Sequence, residues 1–152
     1  MPDVKKILYP LELSSISPKV APWVVTMAEH FKAELHVVHV VPVLEFWGVA
    51  YASEALEEQD RDALVKRAQK HVEEFCYEHF KDYKPAVTKA LWGEPVREIL
   101  GYVENEGMDM IVMGNHGKKG LDHALFGSVA EKVLNNSPVP VLTVRKKAWA
   151  EK

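Results

Sequence analysis

The sequence predicts an α/β fold, an open and mainly parallel β-sheet with helices on both faces. Two observations carry this. Short apolar runs alternate with amphipathic helical patterns along the chain in the order β-α-β-α-β-α-β-α-β, and parallel neighbours need such crossover connections, which are right-handed. The chain has 152 residues, 47% hydrophobic and 27% charged, which suits one globular unit with its own core. Residues 1–152 are therefore expected to form a single domain.

The first strand is expected in Ile7-Leu-Tyr-Pro-Leu-Glu-Leu, a buried run with Pro10 near its end. After a serine-rich turn, Ser17 before Pro18 marks a helix start. Val20, Trp23, Val24, Met27 and Phe31 follow at i, i+3, i+4, i+7 and i+11, so this face is expected on the sheet. Leu35 to Val41 reads as the second strand because β-branched residues dominate it. Pro42 to Ala52 is an apolar connection bearing Trp47, Gly48 and Tyr51, either a lid or partner surface or a segment packed on its own domain.

From Ser53 to Phe80 the pattern turns helical and charged, with Leu56, Leu64, Ala68, Val72 and Phe75 facing inward. Cys76, the single cysteine, reads as a small buried hydrophobe of this helix. Ala86 to Leu91 is the third strand, and Gly93-Glu-Pro95 opens a helix with a buried stripe of Val96, Ile99, Leu100 and Val103 that Gly107 ends. Met110-Ile-Val-Met is expected as a central parallel strand, and Val139-Pro-Val-Leu-Thr-Val as the last.

Composition narrows the function. A net charge of -3, with acids and bases interspersed, lacks the broad positive field that nucleic-acid binding requires. No run approaches the ~20 apolar residues of a membrane span. Met1 to Lys6 runs directly into the first strand without the pattern of a secretory leader, and a lone cysteine suits a reducing compartment, so a cytoplasmic location is expected.

In an open parallel sheet, ligands bind outside the carboxyl ends of the strands where the strand order reverses. The loops after the first and fourth strands are therefore the places for chemistry. The fourth strand is followed by Gly114-Asn-His-Gly117-Lys-Lys-Gly120 and then by Gly127-Ser128-Val-Ala-Glu131. Paired glycines allow a tight turn and let backbone amides approach a ligand closely. A helix starting near Ser128 offers unpaired N–H groups and a partial positive charge, both suited to phosphate. Ser128-Val-Ala-Glu131 is also a capping box, which serves the helix without any ligand.

Gly114, Gly117, Gly127 and Ser128 together satisfy G-x2-G-x9-G-[S/T], and in this the chain resembles the universal stress protein family, ATP-binding type. Ile7-Leu-Tyr-Pro, Leu35-His-Val-Val-His-Val, Gly93-Glu-Pro-Val-Arg-Glu-Ile-Leu, Leu125-Phe-Gly-Ser-Val-Ala-Glu-Lys-Val and Ser137-Pro-Val-Pro-Val-Leu-Thr-Val-Arg145 resemble the family in the same order along nearly the whole chain. The resemblance implies a Rossmann-like five-stranded sheet in the order 3-2-1-4-5. It implies ATP in the crevice between strands one and four, with ADP and AMP as alternatives and Mg²⁺ carried by the phosphates, and a homodimer paired through the last strand. By position, Pro10, Leu11, Glu12 and Val40 would border the nucleoside, followed by Met113 and Gly114. Gly117, Gly127, Ser128 and Val129, with His116 beside them, would meet ribose and phosphates. The family usually has Asp where this chain has Glu12, which changes the reach of that carboxylate. Pro10 also reads as a strand terminator and Val40 as core.

The implied function is a nucleotide-responsive regulator of the stress response that acts on a protein partner. The alternatives are a nucleotide-independent dimeric interaction module and a slow ATPase, for which no catalytic base or arginine finger is assignable. Other constellations are weaker. The seven histidines show no His-x3-His helix spacing and no cysteine pairs, so no metal site is expected. The loop after the first strand has no G-x-G-x-x-G, and the chain has no G-x4-G-K-[S/T]. Ser14, Asp122 and His123 lack a nucleophile elbow, and Lys118 and Lys119 read either as phosphate contacts or as a solvated pair.

Overall fold

Strands and helices alternate strictly through residues 2–42, 58–115 and 128–145, the part of the chain that the computed structural model describes. They are β1 (Lys6–Pro10), α1 (Ser17–Phe31), β2 (Glu34–Pro42), α2 (Glu58–His79), β3 (Val87–Gly93), α3 (Pro95–Glu106), β4 (Met110–Gly114), α4 (Ser128–Asn136) and β5 (Val141–Val144). The strands form one five-stranded sheet in the order β3-β2-β1-β4-β5, with every pairing parallel. The chain winds outward from β1 to β3 and then crosses back to β4, so the order reverses between β1 and β4.

Alternation along the central strand separates two cores. Ile7, Tyr9 and Leu11 join Val20, Ala21, Val24 and Ala28 of α1 and Val72 and Cys76 of α2. Leu8 joins Val38 and Val40 of β2, Ile99, Tyr102 and Val103 of α3, and Ala130 and Val133 of α4. Helices therefore cover both faces, as the continuous apolar strands demand. Each fully buried aliphatic side chain of this kind stabilises the fold by about 1.5–3 kcal/mol.

Two helix faces differ from the sequence reading. In α1 the buried residues are Ser17, Val20, Ala21, Val24 and Ala28, whereas Trp23 is 42% exposed and Met27 and Phe31 are half-buried. The inward stripe is rotated by about 60° from the one that residue size suggests. Small side chains at Ser17, Ala21 and Ala28 let the helix axis approach the sheet, which the bulk of Trp23 would prevent. In α2, Ala68, Val72 and Cys76 are buried, Phe75 is half-buried and Leu64 is exposed. Each i+4 step turns about 40° around the helix, so three steps back from Cys76 carry Leu64 off the sheet-facing side. Leu56, Trp47, Gly48 and Tyr51 lie outside the described residues.

Strand limits also move. β3 begins at Val87 and continues to Gly93, because β2 pairs with it as far as Pro42 opposite Gly93. β5 begins at Val141 instead of Val139. Ser137 Oγ donates to the Val139 carbonyl (2.7 Å) and accepts from the Val139 N–H (3.1 Å), which commits Val139 to a turn. Tyr102 adds a buried residue to α3 that the apolar pattern missed. Gly107 ends that helix in the left-handed conformation, at φ 61°.

Polar contacts fasten the amino-terminal edge of the sheet. One oxygen of Asp109 accepts from the backbone N–H groups of Lys5 and Lys6, both at 2.9 Å, so the entries to β1 and β4 are tied together. Beside them, His36 is buried with Nδ1 at 2.7 Å from Tyr102 Oη and Nε2 at 2.7 Å from Glu34 Oε1. Among the described residues, no helix is long and apolar enough to cross a membrane.

Candidate functional site

The crevice at the carboxyl ends of β1 and β4 has a local cause in the sequence. Along β1 and its two flanking residues, Lys5 O accepts from Glu34 N and Leu11 N donates to Val38 O, whereas Lys6 O accepts from Asp109 N. Odd positions thus face β2 and even positions face β4. Pro10 occupies an even position, where it has no N–H to give to β4. Register between β1 and β4 accordingly covers only Ile7 opposite Met110 and Leu8 opposite Ile111, while β1 pairs with β2 from Lys6 through Pro10. The strand-terminating role read for Pro10 is therefore directed at one neighbour, and it falls where the strand order reverses.

A recess at this point is lined by Pro10 and Glu12 from the end of β1, by Ile16, Ser17 and Val20 from the start of α1, and by Gly114 from β4, with Tyr9 at its base. Gly114 is needed for close approach. A Cβ there would lie 3.0 Å from Val20 Cγ2 and 3.6 Å from Ile16 Cδ1. Tyr9 Oη donates to the Ser17 carbonyl at 3.4 Å and so fastens the first turn of α1 to the sheet; burial pushes that phenol well above the usual tyrosine range.

The connection from β1 to α1 is tightly wound. Leu11, 2% exposed, has its carbonyl at 2.7 Å from His39 Nδ1. Leu13 sits at φ 55°, a left-handed conformation that costs a non-glycine residue about 1–3 kcal/mol and persists only where its surroundings fix it. Ser17 closes the turn by accepting from Ser14 N (3.1 Å) while its own N–H donates to Ser14 O (3.1 Å). The helix N-cap, Ile16, supplies no side-chain hydrogen bond of its own.

The residues singled out from the sequence fall into three groups. Pro10, Glu12 and Gly114 line the recess, and one carboxylate oxygen of Glu12, Oε2, is buried. Val40 and Met113 are buried in the core cluster on the α3 and α4 face, and Val129 is partly buried against that cluster; Leu11 is buried in the opposite cluster. Ser128 is exposed at the start of α4. His116, Gly117 and Gly127, together with Lys118, Lys119, Asp122 and His123, lie outside the described residues. Among the described residues, no three His, Cys, Asp or Glu side chains gather as a metal site.

Sequence reasoning missed Ile16, Ser17 and Val20 as recess residues, although their place just after the β1 loop was a usable signal. It also missed His39 and Asn115. Asn115 is a polar residue only 1% exposed, one position beyond β4, and its N–H donates to Val144 O at 3.4 Å.

The model of the universal stress protein family matches residues 3–145. Universal stress protein MJ0531 of Methanocaldococcus jannaschii is 37% identical over 148 residues, covering 93% of this chain and 82% of the relative. The solved structure of MJ0577, from the same organism, has a TM-score of 0.72 at 32% identity and covers 95% of this chain and 98% of its own. More distant structures share the fold. A universal stress protein in complex with cAMP has a TM-score of 0.65 at 17% identity, covering 95% of this chain and 98% of that one. One from Archaeoglobus fulgidus in complex with dAMP has a TM-score of 0.61 at 17% identity, covering 94% and 98%.

Proposed function

The chain belongs to the universal stress protein family, and from that premise we propose that it binds an adenine nucleotide, ATP foremost, in the crevice between β1 and β4. The observation that carries this reading is the coincidence of three features at one place. The strand order reverses there, Pro10 ends the pairing of β1 with β4, and Gly114, lacking a Cβ, lets Val20 and Ile16 of α1 approach the end of β4. Relatives of the same fold hold cAMP and dAMP, which supports the ligand class.

Pro10, Leu11, Glu12 and Val40 are assigned to the nucleoside end, with Met113 and Gly114 next to them. Gly117, Gly127, Ser128 and Val129, and His116 beside them, are assigned to ribose and phosphates. ATP supplies the negative charge that a helix start and glycine-rich amides accept. Mg²⁺ travels on the phosphate oxygens, since it keeps several waters and takes few protein ligands. Bound nucleotide shifts the conformation of the Gly114 to Ser128 loop and so changes the interaction with a protein partner. The protein acts as a homodimer through β5, in the cytoplasm, and turns ATP over slowly if at all.

Calorimetric titration with ATP and then AMP, each with and without Mg²⁺, tests the reading on protein checked for co-purified nucleotide. Saturable ATP binding, tighter than AMP and abolished by Gly127→Val in a folded protein, is expected. Absence of binding by empty, folded protein would refute the assignment and favour a nucleotide-independent interaction module.

A further inference from the structure

The nucleoside wall of the crevice is held from behind by a side chain to which the sequence alone gave no role. Both backbone groups of Leu11 are engaged by β2: its N–H donates to Val38 O at 2.8 Å, and its carbonyl lies 2.7 Å from His39 Nδ1. A carbonyl only accepts, so Nδ1 must carry the proton, and the imidazole tautomer is fixed by this contact. The Leu11 carbonyl and the Glu12 N–H belong to one planar trans peptide, in which they point in opposite directions. With the carbonyl held toward β2, the Glu12 N–H is turned to the side where β4 and the recess lie. Leu13 follows in its left-handed conformation, and such a conformation needs fixed flanks. His39 provides the upstream flank, and the Ser14–Ser17 pair provides the downstream one.

We propose that His39 is a positioning residue of the nucleoside end: its hydrogen bond to the Leu11 carbonyl sets the plane of the Leu11–Glu12 peptide, and so the direction of the Glu12 amide and side chain toward the ligand. This rests on the adenine-nucleotide reading above. Adenosine and ATP share the nucleoside end and differ only in the phosphates, so a defect at His39 must weaken both alike. Asn places an amide N–H close to where Nδ1–H stands, so it restores the donor.

The test is calorimetry with ATP and with adenosine on the full chain carrying His39→Leu or His39→Asn. Loss of one hydrogen bond that orients the site predicts an affinity about tenfold weaker for both ligands in the leucine variant, and within about twofold of the parent in the asparagine variant. Long-range ¹H–¹⁵N imidazole spectra of the ligand-free parent must show the proton of His39 on Nδ1, a readout that needs no variant to fold. Unchanged affinity in His39→Leu, a loss confined to ATP, an asparagine variant as weak as the leucine one, or a proton on Nε2 alone would each overturn the role of His39 while leaving the nucleotide reading intact. A parent protein that binds neither ligand overturns the nucleotide reading itself, and the role built on it falls for that separate reason.

Discussion

Replacing Gly114 by alanine measures how closely α1 is seated on the end of β4. The new methyl would stand 3.0 Å from Val20 Cγ2 and 3.6 Å from Ile16 Cδ1. The second contact is ordinary; the first requires Val20 to give way. Val20 is 1% exposed and, being β-branched, is stiff at χ1, so it yields by shifting the first turns of α1. Adding a carbon to a packed core costs about 1–3 kcal/mol, and removing glycine's freedom in the unfolded chain returns about 0.4–1 kcal/mol. A net loss of about 1 kcal/mol is expected. Val20→Ala alone, which removes two buried methyl groups, should cost about 2 kcal/mol. In the double variant the alanine methyl at 114 enters the space that Val20 leaves, so the combined cost falls short of the sum by about 1 kcal/mol. Urea denaturation of the four proteins measures the cycle, provided the m-values agree. Costs that add to within about 0.5 kcal/mol would refute the close seating of the two elements.

The other expected outcomes lie at the amino-terminal end of β2, at the lone thiol and at the last residue of β3. The hydrogen bond to His36 holds the Glu34 carboxyl below its ordinary value of 4.5, so its stabilising contribution is complete above that value and is lost as pH falls through the lowered one. Glu34→Gln should therefore be less stable than the parent at neutral pH and approach it in acid, by a small margin because the carboxylate is exposed; a gap that widens in acid would contradict the pairing. Burial pushes the Cys76 thiol up to about 12, so iodoacetamide at about pH 8 should label native protein slowly and urea-unfolded protein fast; equal rates would place Cys76 outside the core. Gly93 stands at φ 153°, and a Cβ there would come within 2.6 Å of Glu98 Oε1. Gly93→Ala should destabilise by about 1–3 kcal/mol in urea, and an unchanged midpoint would refute that backbone requirement.

The order of elements was readable because strand-type and helix-type apolar patterns differ in period, and Met110-Ile-Val-Met had the length and flanks of a central strand. Strand order came from the family resemblance, since local periodicity contains nothing about which strand neighbours which. Helix orientation was misread where size competes with fit. Trp23 is more hydrophobic than Ala21 or Ala28, but the alanines bring α1 down onto β4, and only the packed structure reveals that preference. Pro10 and Glu12 entered as candidate site residues through the family resemblance, and Gly114 through the glycine pattern after the fourth strand; all three line the recess. Ile16, Ser17 and Val20 were hidden because the same residues also read as an ordinary helix start. His39 was hidden because its role is a hydrogen bond to a backbone carbonyl, and such an acceptor leaves no trace in the sequence.

The seam between β1 and β4 also explains how a crevice can exist at the centre of the sheet without loosening it. At the amino-terminal end, Asp109 takes two backbone N–H groups from the strand entry, and Ile7 and Leu8 pair with Met110 and Ile111. At the carboxyl end, Pro10 withholds the donor that would continue the ladder, while β2 holds β1 through Pro10 and the Leu11 N–H extends that hold. The strand that forms one wall is therefore fixed from its other side and from its far end. Stabilisation resides in Ile7, Leu8 and Ile111, all fully buried, and on the recess Pro10 and Gly114 pair with their outer neighbours β2 and β5 and not with each other's strand. A change at Pro10 or Glu12 should thus act on ligand affinity more than on folding, whereas a change at Asp109 should do the reverse.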